Sequence, residues 1–366
     1  MNDNRCGLLL INLGTPESPE PSAVRTYLRE FLSDPRVLDL PAWRRWLVLN
    51  LLILPRRPRQ SGEAYAKIWT DRGSPLLFHS RDLATRVQER LGPGVKVVLG
   101  MRYGRPSIAS ALKVLSDAGI GRIVVFPLYP QYSSAATGSS VERVFECAAE
   151  LWNVPCLQIV PPFYDHPAYI EAGATIARPY VDRPEVERVF FSFHGLPERH
   201  VRKSDRTGSH CLASANCCDT IVDANRDCYR AQCYATARLL AERLGVLPEK
   251  KIVCFQSRLG RDPWIRPYTD LLVEEQARLG CKRAVILSPA FVADCLETVE
   301  ELGIRAAESW KVEGGESLEL VPSLNSRDEW VDALVAIARE TTTWLGGAHS
   351  GANGWRSSST AHARQP

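Results

Sequence analysis

At 366 residues, 45% of them apolar, the chain is long enough for two domains and apolar enough to bury their cores, which excludes global disorder. A net charge of +3, with both signs interspersed, excludes a dedicated nucleic-acid binder, which needs a concentrated basic face. The longest apolar run, 46–54, is broken by Asn50 and falls far short of the ~20 residues of a membrane-spanning helix. The first six residues lead straight into a strand with no room for a signal or transit peptide, so the expected location is cytoplasmic.

Eight strand-like runs follow in order, at 8–12, 95–99, 123–126, 156–160, 189–193, 252–255, 284–287 and 318–321. Helical periodicity falls at 22–32, 80–91, 107–118, 140–151, 229–244, 267–279, 296–309 and 329–345. Strands alternating with helices predict parallel sheets flanked by helices, an α/β fold. The halves also resemble each other. Leu8-Leu-Leu-Ile-Asn-Leu13-Gly14 aligns with Val189-Phe-Phe-Ser-Phe-His194-Gly195, the strand at Val97 aligns with that at Val253, and Arg122 aligns with Arg283. The expected architecture is two similar Rossmann-like domains, each a four-stranded parallel sheet, with a ligand cleft between them. The expected boundaries are 1–165, with an insert at 36–75, and 166–325, with a Cys-rich insert at 205–230. A helix at 326–345 and a disordered tail at 346–366, in which His349 and His362 are inert, complete the chain.

Within the first half, the insert joins an apolar segment, Trp43 to Leu54, to a basic cluster at Arg56, Arg57 and Arg59. Three readings stay open: a lid with anchors for ligand carboxylates, a helix lying on a membrane surface, or a buried helix with a solvated basic end. The loop 127–140 carries Tyr129, Tyr132 and several hydroxyl residues at the start of a helix, more than one cap requires. His194 closes a buried strand at the carboxyl edge of a sheet, where open α/β folds bind ligands. Its twin is Leu13, so one cleft loop offers an apolar contact and the other a base. Glu297 and Glu301, four apart, share a helix face on which carboxylates can relay protons or hard cations, although acidic residues near a helix start also serve as dipole partners.

Of eleven cysteines, Cys6, Cys147, Cys156, Cys254, Cys281 and Cys295 are scattered and read as small buried hydrophobes. The other five, Cys211, Cys217, Cys218, Cys228 and Cys233, crowd together and suggest metal or Fe–S ligation.

Several motifs resemble those of ferrochelatases, from about Gly7 to Asn325. They are Leu10-Ile-Asn-Leu-Gly-Thr-Pro16, Gly73-Ser-Pro-Leu76, Tyr129-Pro-Gln-Tyr-Ser133, Thr137-Gly-Ser-Ser140, Ser192-Phe-His-Gly-Leu-Pro197, Phe255-Gln-Ser-Arg258, Pro263-Trp264 and Asp294-Cys-Leu-Glu-Thr298. The resemblance implies insertion of Fe²⁺ into protoporphyrin IX, with His194 as catalytic base and Glu297 as the essential helix carboxylate. It also implies that Glu301 lines a metal or proton path, and that His194, Glu297 and Glu301 together meet the Fe²⁺ substrate. Leu13, Arg57, Tyr65, Ser74, Arg102, Tyr103 and Tyr132 are the expected porphyrin contacts. Cys295 stands where some members carry a second His, which weakens any two-histidine metal site. Some bacterial members carry a [2Fe–2S] cluster on an internal segment, so Cys211, Cys217, Cys218 and Cys228 are the expected cluster ligands, with Cys233 competing for the last place and zinc or free thiols as alternatives. Coproporphyrin as substrate, and a non-catalytic haem or Fe–S sensor on the same scaffold, are the competing functions. Contact with a membrane surface through 43–54 is the remaining partner expectation; oligomeric state is not legible.

Overall fold

The computed structural model describes residues 5–345 apart from Leu259 and Arg261; the expected tail, with His349 and His362, lies outside the described residues. All eight predicted strands form. Strands β1 (Cys6–Gly14), β2 (Val95–Tyr103), β3 (Arg122–Pro127) and β4 (Cys156–Ile159) make a parallel sheet in the order β2-β1-β3-β4. Strands β5 (Arg188–His194), β6 (Lys251–Gln256), β7 (Arg283–Leu287) and β8 (Ser317–Leu320) repeat that order as β6-β5-β7-β8. The register repeats as well: Gly7 pairs with Ile123 as Arg188 pairs with Ala284, matching the internal alignment. On the other side of the central strand the match is displaced. Leu8 pairs with Val97, but its twin Val189 pairs with Lys251 rather than Val253. A shift of two residues leaves every side chain on its original face, so both sheets tolerate it.

Twelve α-helices surround the sheets among the described residues. In the first half they are α1 (Pro21–Ser33), α2 (Ala42–Leu47), α3 (Arg57–Ile68), α4 (Pro75–Leu91), α5 (Ile108–Asp117) and α6 (Ser139–Ala149). In the second half they are α7 (Pro167–Val181), α8 (Glu198–Ser204), α9 (Tyr229–Leu244), α10 (Thr269–Arg278), α11 (Ala307–Val312) and α12 (Asp328–Thr341). Helix α5 shows the local logic. Ser107 accepts the Ser110 N–H as its cap, and Ile108, Ala111, Leu112 and Leu115 form the buried stripe. Three π-helical segments add to these, at Val48–Ile53, Ser134–Gly138 and Leu296–Ala306.

Strand alternation divides the core. Leu9 and Ile11 face α5 and α6, while Leu8 and Leu10 face a second layer. In the other sheet Phe190 packs against Trp310 on one side, whereas Phe191 and Phe193 join the layer that holds Leu8, Leu10 and Phe126. One core therefore runs through both sheets. At its centre Trp330 of α12 stacks on Phe163 at 5.7 Å and meets Tyr169 of α7 edge-on at 6.2 Å, and Phe163 lies 5.3 Å from Phe126. Helix α12, last in sequence, packs on both α4 and α7. The two similar halves are thus fused along one side by buried aromatic contacts, each worth about 0.5–1.5 kcal/mol beyond area burial.

Candidate active site

His194 is the last residue of β5, and Leu13 lies one residue before the end of β1. Both are half-buried, as twins at equivalent strand ends. Each is followed by a glycine for which a side chain has no room: a Cβ on Gly195 would meet the Gln256 carbonyl oxygen at 2.8 Å, and one on Gly14 would overlap the Tyr103 carbonyl. The His194 ring packs 6.3 Å from Trp264 and meets Phe291 edge-on at 6.3 Å. Its Nδ1 is 2.6 Å from the Gly195 carbonyl oxygen. A carbonyl only accepts, so Nδ1 carries the hydrogen and Nε2 keeps its lone pair.

Both glutamates fall on the segment Leu296–Ala306, which is π-helical where the sequence predicted an α-helix. Its wider i→i+5 turns bring residues four apart closer to alignment, and such turns occur frequently at functional sites. Cys295 opens the segment: its N–H donates to Thr298 Oγ1 at 2.9 Å. Glu301 accepts twice from one residue, from the Ser257 N–H at 2.9 Å and from the Ser257 hydroxyl. Ser257 adopts φ +66°, a conformation that costs a non-glycine residue about 1–2 kcal/mol. Burial raises the Glu301 pKa above the ordinary carboxylate value; the Ser257 hydrogen bond and the charges of Arg305 and His194 oppose the rise, and Glu297 adds to it. Glu301 therefore lies close enough to feel the charges of both His194 and Glu297.

Glu297 also faces the first half. Burial and the Glu297 charge raise the pKa of the Tyr65 phenol of α3, and burial, Tyr65 and Glu297 raise that of Tyr27 of α1. Tyr27 donates to the Gly14 carbonyl at 3.1 Å, beside Leu13. Tyr65, Ile68 and Trp69 pack with Leu296 and Val299, and Lys67 pairs with the buried Glu300 at 3.2 Å. Helix α3 and the glutamate helix thus meet between the two sheets, where the sequence placed the cleft.

The other expected substrate contacts divide into two groups. Ser74 is buried and accepts the Thr15 hydroxyl at 2.8 Å, next to Leu13; Tyr65 lies beside Glu297; Arg57 is exposed at the start of α3. Tyr132 is half-buried, and its N–H donates to Gln232 of α9 at 2.6 Å. Arg102 and Tyr103 share a protein partner, Asp34. Tyr103 is wholly buried, and its hydroxyl donates to Asp34 at 2.9 Å; Arg102 pairs with Asp34 at 2.6 Å, and the Ser139 hydroxyl donates to the same carboxylate oxygen at 2.5 Å. Burial raises the Asp34 pKa, but the Ser139, Arg36 N–H and Tyr103 hydrogen bonds and the Arg102 charge outweigh it, leaving the carboxyl below its ordinary value. Through Asp34 and Ser139, Arg102 and Tyr103 brace the hydroxyl-rich loop from behind. Neither Asp34 nor the Lys67–Glu300 pair was legible in the sequence, because their partners lie far away along the chain. Ser257 and Gln256 sat inside a noted motif without an assigned role.

The 43–54 segment is not a buried helix. Trp43, Trp46, Leu51 and Leu52 are each about 60% exposed, and Arg44 stacks over Trp43. No helix among the described residues is long and apolar enough to cross a membrane.

The Cys-rich insert lies between α8 and α9. Asp205 organises it by accepting the N–H groups of His210 and Cys211, both at 2.7 Å, and of Thr207 at 2.9 Å. Cys211, Cys217, Cys218 and Cys228 are all buried free thiols. Cys217 Sγ lies 3.6 Å from Cys218 Sγ, while Cys228 is within hydrogen-bonding reach of both Cys211 and Cys218. Arg230 donates to Cys218 Sγ at 3.1 Å. Cys233, buried in α9, interacts instead with Tyr229. Among the described residues no three His, Cys, Asp or Glu side chains gather as ligands of a single ion. Of the scattered cysteines, five are buried as expected, and Cys156 is exposed at the start of an edge strand.

Comparison with known proteins agrees with this arrangement. The ferrochelatase family model matches residues 5–342. A ferrochelatase of Legionella pneumophila (strain Lens) is 48% identical over 92% of this chain and 99% of its own length, and one of Coxiella burnetii (strain Dugway 5J108-111) is 45% identical over 93% and 95%. Among solved structures, a sirohydrochlorin chelatase from Bacillus subtilis subspecies spizizenii, in complex with cobalt, aligns with a TM-score of 0.51 at 10% identity over 92% of this chain and 95% of that one, which shows a shared fold. Fold, twin strand ends and relatives agree: the chain belongs to the ferrochelatase family.

Proposed function

We propose that the protein inserts Fe²⁺ into protoporphyrin IX, giving protohaem and two protons. The observation that carries this reading is the meeting of His194, Glu297 and Glu301 at the junction of the two halves, in a chain nearly half identical to named ferrochelatases. Each pyrrole N–H must lose its proton as the metal enters. His194 Nε2, with its lone pair free, takes that proton as a general base. Glu297 and Glu301 pass protons on or steer the cation; the raised pKa of Glu301 suits a group that must accept a proton and release it again. Leu13 supplies an apolar contact for the macrocycle, and Arg57, Tyr65, Ser74 and Tyr132 serve its polar edge. A flat porphyrin hides its nitrogen lone pairs, so the strain of bending it is drawn from these remote contacts.

The direct test is insertion of Fe²⁺ or Zn²⁺ into proto- and coproporphyrin, with and without anionic vesicles. Faster turnover with protoporphyrin is expected. Preference for coproporphyrin would change the substrate, and no insertion into either would leave only a sensor. The exposed Trp43, Trp46, Leu51 and Leu52 beside a basic cluster support contact with a membrane surface; failure to co-sediment with vesicles would remove that part. Eleven cysteines with no disulfide among them support a reducing, cytoplasmic setting.

We also propose that Cys211, Cys217, Cys218 and Cys228 hold a [2Fe–2S] cluster. Two thiolates on one tetrahedral metal with bonds of about 2.3 Å sit roughly 3.7 Å apart. The Cys217–Cys218 separation of 3.6 Å fits one such pair, and Cys211 with Cys228 forms the other. Pairs, rather than three ligands around one point, suit two irons better than one zinc. The Cys228 hydrogen bond and burial push the Cys218 thiol up, and the Arg230 guanidinium aimed at its Sγ opposes that rise, as a donor to a bound thiolate would. When bound, the cluster supplies a cross-link of the insert and a one-electron redox centre. Its structural reach is traceable: Gln232 donates to the Arg226 carbonyl of the insert at 2.6 Å and accepts from Tyr132. Purified protein is expected to be coloured, with equal iron and acid-labile sulfide, and Cys218→Ser to lose both. Colourless wild-type protein without sulfide would reject the cluster.

A further inference from the structure

Gln256 ends β6 directly opposite His194, and its side-chain amide touches both the histidine strand and the glutamate helix. Its backbone carbonyl accepts the Gly195 N–H at 2.8 Å, fixing the turn that follows His194. Its Oε1 accepts the Ser192 hydroxyl at 2.6 Å, two residues before His194, and its Nε2 donates to the main-chain carbonyl of Glu297 at 2.7 Å. Ser192 is held in turn, with its hydroxyl 2.9 Å from that of Thr269 and its carbonyl accepting from Ser288 at 2.9 Å. Gln256 is 3% exposed and Ser192 wholly buried, so water has little access to replace either bond.

We propose that Gln256 is a positioning residue for metal insertion: its amide spans from β5 to the first turn of the π-helix and sets the separation of His194 from Glu297. This deepens the proposed roles of those two residues and rests on them. The amide is suited to the task because it needs a donor and an acceptor on one rigid plane, with Ser192 donating to the oxygen and the Glu297 carbonyl receiving from the nitrogen. No hydrocarbon side chain offers either bond. Wide turns of a π-helix hold their carbonyls less tightly than α-turns, so an external donor at Glu297 stabilises the local geometry where the carboxylate projects. Displacement of a catalytic group by about 1 Å can lower a rate by about 100-fold.

Two variants test this in the full-length enzyme. Gln256→Leu removes both bonds and is expected to lower kcat by about 10- to 100-fold with a much smaller change in porphyrin KM. Gln256→Glu is the more discriminating. Protonated, it keeps an acceptor for Ser192 and a donor for the Glu297 carbonyl; ionised, it loses the donor and sets a charge against that carbonyl. Burial raises the pKa of such a carboxyl. The ratio of its activity to wild type is therefore expected to rise as pH falls through that pKa. A ratio independent of pH, or a folded Gln256→Leu enzyme with unchanged kcat, would overturn the proposal. Loss of porphyrin binding in step with kcat would reduce Gln256 to a general structural role. Normal behaviour of His194→Ala would instead remove the underlying site assignment, so the two failures are distinguishable.

Discussion

Replacing His194 with alanine is expected to lower kcat for metal insertion by about 10²- to 10⁴-fold, the usual contribution of a general base. Porphyrin affinity should change far less. The ring packs between Trp264 and Phe291, so its removal opens a small gap there, but the edge contacts at Tyr65, Ser74 and Arg57 stay in place. The loss follows from the hydrogen bond at Nδ1: with that nitrogen donating to Gly195, Nε2 is the only ring atom able to take a proton. His194→Gln, which keeps much of the bulk without a base of comparable pKa, should be nearly as slow. Steady-state Zn²⁺ insertion followed by fluorescence, with porphyrin titrations and thermal melts on each variant, checks all three statements. Recovery of full rate in His194→Gln would mean that size, not basicity, matters.

Glu297→Gln is expected to lower kcat by about 100-fold, because it keeps shape but removes the charge that accepts a proton or attracts the cation. It carries a second signature. Burial is the main cause of the raised Glu301 pKa, and the Glu297 charge contributes further to the rise. Neutralising Glu297 lowers the Glu301 pKa, so the acid limb of the pH–rate profile, where Glu301 takes its proton, should move to lower pH. The stability consequence has the same sign. A carboxyl raised in the folded state opposes folding as pH rises through its range, and that penalty should shrink in the variant. An acid limb that moves upward would show that the two carboxylates do not interact as placed.

Much of the scaffold was legible because its strands are buried on both faces and read as short apolar runs closed by Gly or Pro. The internal repeat was legible too, and the shared sheet order follows from it. Helix α7 was missed. Its buried residues include Tyr169, Ile170, Ala172, Ala174, Ile176 and Ala177, its polar face is only Glu171, Thr175 and Arg178, and Pro179 lies within it. The π-helical form of Leu296–Ala306 was not legible, since α- and π-turns share their apolar spacing over so few residues. Within the candidate site, a strand end singled out His194 and a shared helix face Glu297 and Glu301, but their proposed roles came from the family resemblance. For Arg102 and Tyr103 the shared protein partner was not legible. A cation and a phenol near a cleft look like ligand donors until a buried acid is found, and Asp34, far back in the chain, satisfies both. The cysteine insert stood out by density alone, whereas the pairing of its thiols needed coordinates.

The central claim is that His194 and Glu297 form one proton-accepting unit. The most direct measurement is single-turnover Zn²⁺ insertion into prebound protoporphyrin by His194→Ala, Glu297→Gln and the double variant. Groups acting as one unit are strongly non-additive, so the double variant should be about as slow as the slower single one. Losses that multiply in the double variant would place the two residues in separate steps and contradict the claim.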